Sequence, residues 1–318
     1  MARSDGEPAD LGAGGAVREQ LAREHVTITI VVPAYNEGAG ITATLDSLSD
    51  GMEALGILET PIFLSDSSSD LATVRAAQEW ADRTGASLVV EHSDQRRSLK
   101  AALNVALASC ASDLVVVIVA DVIVPVRSLA ALLAALLAAP RPDVVVGVAW
   151  PDPTAKGLRY AAGRFQLRAV AAEVCRRPPA MRAEGALWGA RREFYEGHRY
   201  LEGAGSVADD VELAKAVAAR GARGTTAQDA LVRKIPPGTL RDFCLQTRRS
   251  FYATSTAPGS SRDWYAYRAF ARTALADPVG AVLYASYRCY AAFFRSRFVA
   301  AAHSETWEPS PSTKRTGS

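Results

Sequence analysis

Three groups of carboxylates could do chemistry in this chain: Asp66, Asp121, and the adjacent pair Asp209 and Asp210. All fall in predicted loops, and Asp66 and Asp121 closely follow apolar, strand-like runs. An acid at the end of a buried central strand faces a crevice rather than bulk water, and left unpartnered there it is costly. A divalent cation is a natural partner for such oxygens. Helix capping competes with that reading, because Asp70 and Asp209 each stand where a helix begins. Beside the acids, Arg96, Arg97 and Lys100 carry charges that suit a diphosphate. Trp188, within Gly185-Ala186-Leu187-Trp188-Gly189, suits stacking on a sugar or plain core packing. Arg191 and Arg192 suit a phosphate or a solvated helix start. His92, His198 and His303 show no partner spacing and are expected to be structural.

These groups need a scaffold, and the hydrophobic pattern supplies one. Val26 to Glu37 (VTITIVVPAYNE) begins as alternation and becomes an apolar run ended by Pro33, as in a strand buried on both faces. Ile41, Leu45, Leu48, Met52 and Leu55 recur at helical spacing. A strand at Pro61–Leu64 follows, then a helix capped by Asp70 with Leu71, Val74 and Trp80, a strand at Ser87–Glu91, and a helix bearing Leu99, Leu103 and Ala106. Asp113 to Ala120 (DLVVVIVA) is the most strand-like run and is expected at the centre of the sheet. Ser128 is expected to cap an Ala/Leu helix, with a strand at Val144–Val148 beyond it. The alternation predicts a mostly parallel α/β sheet with right-handed crossovers, whose ligands sit beyond the carboxyl ends of the strands. The second half reads as a helix over Lys156–Arg177, a strand near Glu184–Gly189, a helix after Asp209 ended by Gly221, a strand at Ala230–Val232, and helices from Pro237.

The chain has 318 residues, 49% hydrophobic and 22% charged, with a net charge of +2. That charge argues against nucleic acid held by phosphate neutralisation. Cys110, Cys175, Cys244 and Cys289 lack metal spacing and read as reduced thiols of a cytoplasmic protein. Residues 1–25 are polar or Gly/Ala-rich, do not read as a secretory signal and are expected to be disordered. Leu129–Ala139 is too short to span a membrane, and Pro278–Ala302 would bury Arg288, Arg295 and Arg297. The aromatics and arginines of 278–302 suit a helix lying peripherally in the interface of the inner membrane face, one packed on the domain, or a homodimer contact.

The motifs together resemble the inverting family-2 glycosyltransferases of GT-A fold, over roughly Val26 to Ser250. Val31-Val32-Pro33-Ala34-Tyr35-Asn36-Glu37 resembles that family's opening strand and nucleotide loop. Ser65-Asp66-Ser67-Ser68-Ser69-Asp70 resembles its Asp-Asp-Gly-Ser-Thr-Asp loop, Ala102-Leu103-Asn104 its Ala-Leu-Asn, and Val119-Ala120-Asp121 its Asp-X-Asp. Asp209-Asp210 resembles its Glu-Asp pair, and Gln246-Thr247-Arg248-Arg249-Ser250 the Gln-X-X-Arg-Trp of its processive members.

The resemblance implies a GT-A domain over 26–235, a helical extension over 236–303 that closes the site, and a polar tail over 304–318. It implies that Asp66 accepts a hydrogen bond from the nucleotide base, most often uracil, and that Pro33, Tyr35 and Glu37 line the nucleoside pocket. Lys100 and Asn104 fall on the donor side. Asp121 would bind Mg²⁺ or Mn²⁺ bridging the donor diphosphate. Asp210 would be the general base that deprotonates an acceptor hydroxyl, with inversion at the anomeric carbon. Asp209 and Trp188 fall on the acceptor side, and Gln246 and Arg249 would close over diphosphate or acceptor. The implied partners are a nucleoside-diphosphate sugar and a small natural product or lipid carrier. The sequence departs from the pattern at Val119, Ser65, Ser67 and Ser250; Ser250 and the lack of spans argue for transfer of one sugar rather than polymer extrusion. Two rival classes stay open: a nucleotidyltransferase, which needs a basic, glycine-rich loop that 34–40 lacks, and a catalytically impaired relative that binds nucleotide or a partner.

Overall fold

The computed structural model describes residues 11–174, 185–200, 209–244, 246 and 264–293. Eight strands form one sheet: β1 Ile28–Ala34, β2 Ile62–Asp66, β3 Leu88–His92, β4 Leu114–Ile118, β5 Val122–Ile123, β6 Val144–Pro151, β7 Leu187–Arg191 and β8 Gly224–Lys234. Their order is β3-β2-β1-β4-β7-β6-β8-β5. β1 pairs in parallel with β2 and β4, and β2 with β3. The helices are α1 Leu11–Glu24, α2 Ile41–Leu55, α3 Ala72–Thr84, α4 Leu99–Ser109, α5 Val126–Leu137, α6 Ala161–Val174, α7 Arg192–Tyr195, α8 Asp209–Ala219, α9 Trp264–Ala276 and α10 Pro278–Phe293.

The expected two-sided burial is visible residue by residue. Ile28, Ile30 and Val32 of β1 join Leu114, Val116 and Ile118 of β4 in one core with α2 and α5. Val31, Val115 and Val117 point to the other face, where Leu103 of α4 and Leu213 of α8 pack. This is the period of two that a pleated strand imposes.

The second half departs from a simple parallel succession. β7 enters antiparallel between β4 and β6, with Gly189 opposite both Val116 and Val145. A Cβ at Gly189 would lie 2.7 Å from Leu136 Cδ1, so the helix layer sits directly on this strand. β8 is far longer than Ala230–Val232. It runs parallel to β6 past a register shift between Val146 and Val148, and reaches β5 at its far end.

Three expectations need correction. Residues 11–24 are helical rather than disordered: α1 buries Val17 and Leu21 in the main core, and Arg141 Nη2 meets Glu24 at 2.7 Å. Two apolar residues one turn apart are too faint a pattern to read in an Ala/Gly-rich stretch. Ser128 is not a cap; α5 begins at Val126, and the Ser128 hydroxyl donates to the Leu231 carbonyl. The helix expected from Lys156 starts at Ala161, after a 3-10 turn at Leu158–Tyr160.

α9 and α10 lie against α6. The Phe165 ring stands 5.0 Å from Phe270 and 5.3 Å from Tyr284, and Phe243 stands 5.3 Å from Tyr287. These aromatics thus pack on the domain, while Leu275, Val279 and Val282 are exposed. Residues 294–302 of the expected interfacial segment lie outside the described residues. Among the described residues no helix is long and apolar enough to cross a membrane.

Leu21→Ala tests the docking of α1. Truncating a buried leucine is expected to lower unfolding free energy by about 2 kcal/mol in urea titration. An unchanged midpoint would mean that α1 does not pack in solution.

Candidate active site

The carboxyl ends of β1 and β2 are laced to each other by side chains. Pro33 and Ala34 stand opposite Ser65 and Asp66 in register. Beyond them the chain turns through Asn36, at φ 54°, a left-handed conformation that asparagine tolerates. Ser68 Oγ accepts from Asn36 N at 2.8 Å, and Ser69 N donates to Asn36 Oδ1 at 2.9 Å. Thr73 Oγ1 accepts from the backbone N–H of Glu37 (3.1 Å) and of Gly38 (3.0 Å). Tyr35 and Glu37 are half-buried in this loop, and the Arg96 guanidinium lies 4.6 Å from the centre of the Tyr35 ring.

Asp66 is the hub below the loop. It is fully buried, not open to the crevice as the sequence suggests. Ser68 Oγ donates to Asp66 Oδ1 at 2.5 Å, and His92 Nδ1 lies 2.7 Å from Asp66 Oδ2. The parallel register that sets His92 beside Asp66 explains the contact. His92 is expected to be structural, but no spacing along the chain marks its partner; only strand order sets it beside Asp66.

The cations expected to hold a diphosphate are mostly engaged elsewhere. Arg97 Nη1 bonds both Glu91 carboxylate oxygens, at 2.6 and 2.7 Å. Lys100 Nζ, nearly buried, donates to Glu212 Oε1 at 3.0 Å. Asn104 donates to the Tyr200 carbonyl at 2.9 Å and accepts from the Tyr200 N–H at 2.8 Å. Lys100 and Asn104 therefore tie α4 to the chain around α8 rather than presenting groups to a donor. Arg191 is likewise structural: its Nε donates to the Pro142 carbonyl at 3.1 Å. Trp188 is 1% exposed within the second core and offers no open face for stacking, so the packing alternative holds. His198 is sandwiched between Phe194 and Tyr200, and burial pushes its imidazole down to about 4.

The acids gather at one end of the sheet. Asp121 occupies the tight turn between β4 and β5. Thr44 Oγ1 pins that turn through the carbonyls of Ala120 (2.8 Å) and Val122 (2.7 Å). Val119 N donates to the Ala186 carbonyl at 3.2 Å, which brings the turn beside Gly185. Gly185 in turn abuts α8: a Cβ there would fall 2.9 Å from Asp209 Oδ2. Asp209 and Asp210 open α8, where the helix N-terminus favours negative charge. Burial, then the neighbouring Asp210 carboxylate, push the Asp209 carboxyl up to about 7, while the Lys234 charge works the other way. Lys234 ends β8 opposite Val122, and its Nζ lies 3.4 Å from Asp121 Oδ2. Gln246 is half-buried in a helical segment; Arg249 lies outside the described residues.

The implied Mg²⁺ or Mn²⁺ can be tested against this donor set. Among the described residues no three His, Cys, Asp or Glu side chains converge as metal ligands. Val119 contributes no oxygen, and Asp121 faces an ammonium. The protein's own groups at this point do not fit a tightly held divalent ion.

The sheet order and the acids at the strand ends define a GT-A type of α/β fold. Residues 29–198 match the family model described as Glycosyl transferase family 2, and with more than half of its length matched the chain belongs to that family. No curated protein is similar enough to match. Among solved structures, a mannosyltransferase from Pyrobaculum calidifontis, solved with GDP-Man and Mn²⁺, is 23% identical with a TM-score of 0.53, over 92% of this chain and 88% of that one. Glucosyl-3-phosphoglycerate synthase from Mycobacterium tuberculosis, solved with Mn²⁺, UDP and phosphoglyceric acid, is 22% identical with a TM-score of 0.50, over 81% and 87%. Mannosyl-3-phosphoglycerate synthase from Rubrobacter xylanophilus is 18% identical with a TM-score of 0.53, over 77% and 79%. At these identities the likeness is one of fold.

The raised Asp209 carboxyl gives a pH signature. A carboxyl held above its ordinary value favours the folded state at low pH, and that advantage fades as pH rises from about 4 to about 7. Asp209→Asn cannot ionise. Its Tm is expected to gain on wild type by about 3 °C or more across that window and to run parallel above it. Thermal melts at several pH values read this directly; a constant difference would place the proton elsewhere.

Proposed function

We propose that this chain transfers a single sugar from a nucleoside-diphosphate sugar, a UDP-sugar, to a hydroxyl acceptor with inversion. The observation that carries the reading is the approach of Asp121 to the Asp209–Asp210 pair, through Val119, Ala186 and Gly185, at the carboxyl end of a family-2 GT-A sheet. The nucleoside lies against the loop of Pro33, Tyr35 and Glu37, which Asp66, Ser68 and Thr73 hold rigid. The diphosphate lies over Asp121, with Gln246 and Arg249 closing from the carboxy-terminal side.

Asp210 takes the acceptor hydroxyl's proton as the oxygen attacks the anomeric carbon from the face opposite the leaving nucleoside diphosphate. A protonated Asp209 beside it removes the like charge that would otherwise raise the cost of keeping Asp210 ionised. Two of the solved relatives were solved with Mn²⁺, whereas the groups around Asp121 in this chain do not fit such an ion. The acceptor is a small natural product or a lipid carrier.

A specific feature favours a second reading, a catalytically impaired relative that binds nucleotide: Val119 stands at the first acid position. The nucleotidyltransferase reading loses ground, because the Glu37 and Gly38 N–H groups that a triphosphate would need are bonded to Thr73.

Asp210→Asn separates the first two. It is expected to lower kcat by roughly 10²–10⁴-fold, the usual contribution of a positioned base, with UDP affinity little changed. Sugar transfer followed by NMR of the product anomer reads both rate and stereochemistry. Wild type that binds UDP but transfers nothing to any hydroxyl acceptor would select the impaired relative.

A further inference from the structure

We propose that Lys234 is the residue that neutralises the donor diphosphate in this site, so that the chain binds nucleoside diphosphates without a divalent ion. The proposal rests on the donor-site reading above and assigns within it a residue that no motif of the family resemblance touches.

The sheet fixes Lys234 from two sides. Its backbone stands opposite Val122 of β5 and Pro151 of β6, and its carbonyl accepts from Asp152 N at 2.8 Å. Only the four-carbon stem is free to move, and it carries Nζ to within 3.4 Å of Asp121 Oδ2. The two side chains are 25% and 18% exposed. That is open enough to meet a ligand and sheltered enough to weaken screening by salt.

Among the described cations that the sequence offers for a diphosphate, Arg97 and Lys100 are paired with Glu91 and Glu212, and Arg96 lies over the Tyr35 ring. Val119 removes one of the two acids that would draw a metal ion to the turn. A divalent ion on Asp121 would stand beside the ammonium and be repelled by it. A diphosphate has the opposite effect: its oxygens exchange for the Asp121 carboxylate on Nζ, a charge-assisted contact for another of the same sign. The same ammonium also lowers the Asp209 carboxyl slightly, against burial and the Asp210 charge.

Calorimetric titration of the full chain with UDP and with GDP, in EDTA and in Mn²⁺, tests this on wild type, Lys234→Met and Lys234→Arg. Circular dichroism melts check folding. Wild type is expected to bind one of the two nucleotides with comparable affinity in EDTA and in Mn²⁺. Lys234→Met is expected to lose about tenfold or more in EDTA, as for a lost hydrogen bond to a charged group, and to regain part of it with Mn²⁺. Lys234→Arg should keep most of the metal-free affinity. Wild-type binding that requires Mn²⁺ overturns the proposal and leaves the donor-site reading standing. Unchanged EDTA affinity in Lys234→Met also overturns it. If neither nucleotide binds wild type under any condition, both readings fall. Should Lys234→Met not fold, the wild-type EDTA titration and Lys234→Arg decide.

Discussion

Burial of β1 and β4 on both faces is the constraint from which the rest of the structure follows. Strands with apolar side chains above and below leave no place for polar chemistry along their length. It is expelled to the strand ends, where the chain turns and backbone groups lose their ladder partners. Those turns must then find hydrogen bonds among themselves. Ser68, Thr73 and Asn36 supply them for the first two loops, and Thr44 supplies them for the turn that carries Asp121. The crevice is therefore stiff because the core beneath it is apolar.

Charge is arranged at this end with the same economy. Asp209 and Asp210 share the start of one helix, and burial, then the nearness of Asp210, push the Asp209 carboxyl well above the ordinary carboxylate range. Lys234 pairs with Asp121. A group of three acids would repel one another in a sheltered site; the raised Asp209 carboxyl and one ammonium lessen that repulsion while leaving the group anionic. Binding an anionic ligand then requires exchange of partners rather than creation of a new charge.

The first half of this architecture was legible because its signals are local. The runs Ile30–Val32 and Leu114–Ile118 announce buried strands, and the heptad-like spacing from Ile41 to Leu55 announces α2. The elements missed or misjudged owe their form to partners distant in sequence. β7 is expected near Glu184–Gly189, but its extent to Arg191 and its antiparallel place between β4 and β6 depend on those two neighbours. β8 reads as a strand only over Ala230–Val232, and its full length appears once β6 pairs with it. Lys100 and Asn104 have the right chemistry for phosphate, yet Glu212 and the Tyr200 backbone claim them once α8 is folded in place. At Asp66 the type and position suggested an open acid, whereas the fold buries it between Ser68 and His92. Lys234 bore no mark at all, since its meaning lies in register with Val122.

The ties from α4 to the chain around α8 set a limit on how this fold can be reshuffled. Lys100 with Glu212, and Asn104 with the backbone at residue 200, bridge two segments separated by the whole of β4 to β7. The loops after β1 and β2 lie in the segment before that bridge, and Asp209 and Asp210 lie in the segment it ties down. A crossover joining the first half of this chain to the second half of another family member would cut the bridge, even with every site residue retained. An unmatched lysine would be left nearly buried against a foreign helix. The scaffold thus tolerates exchange of loops above the sheet better than exchange of halves.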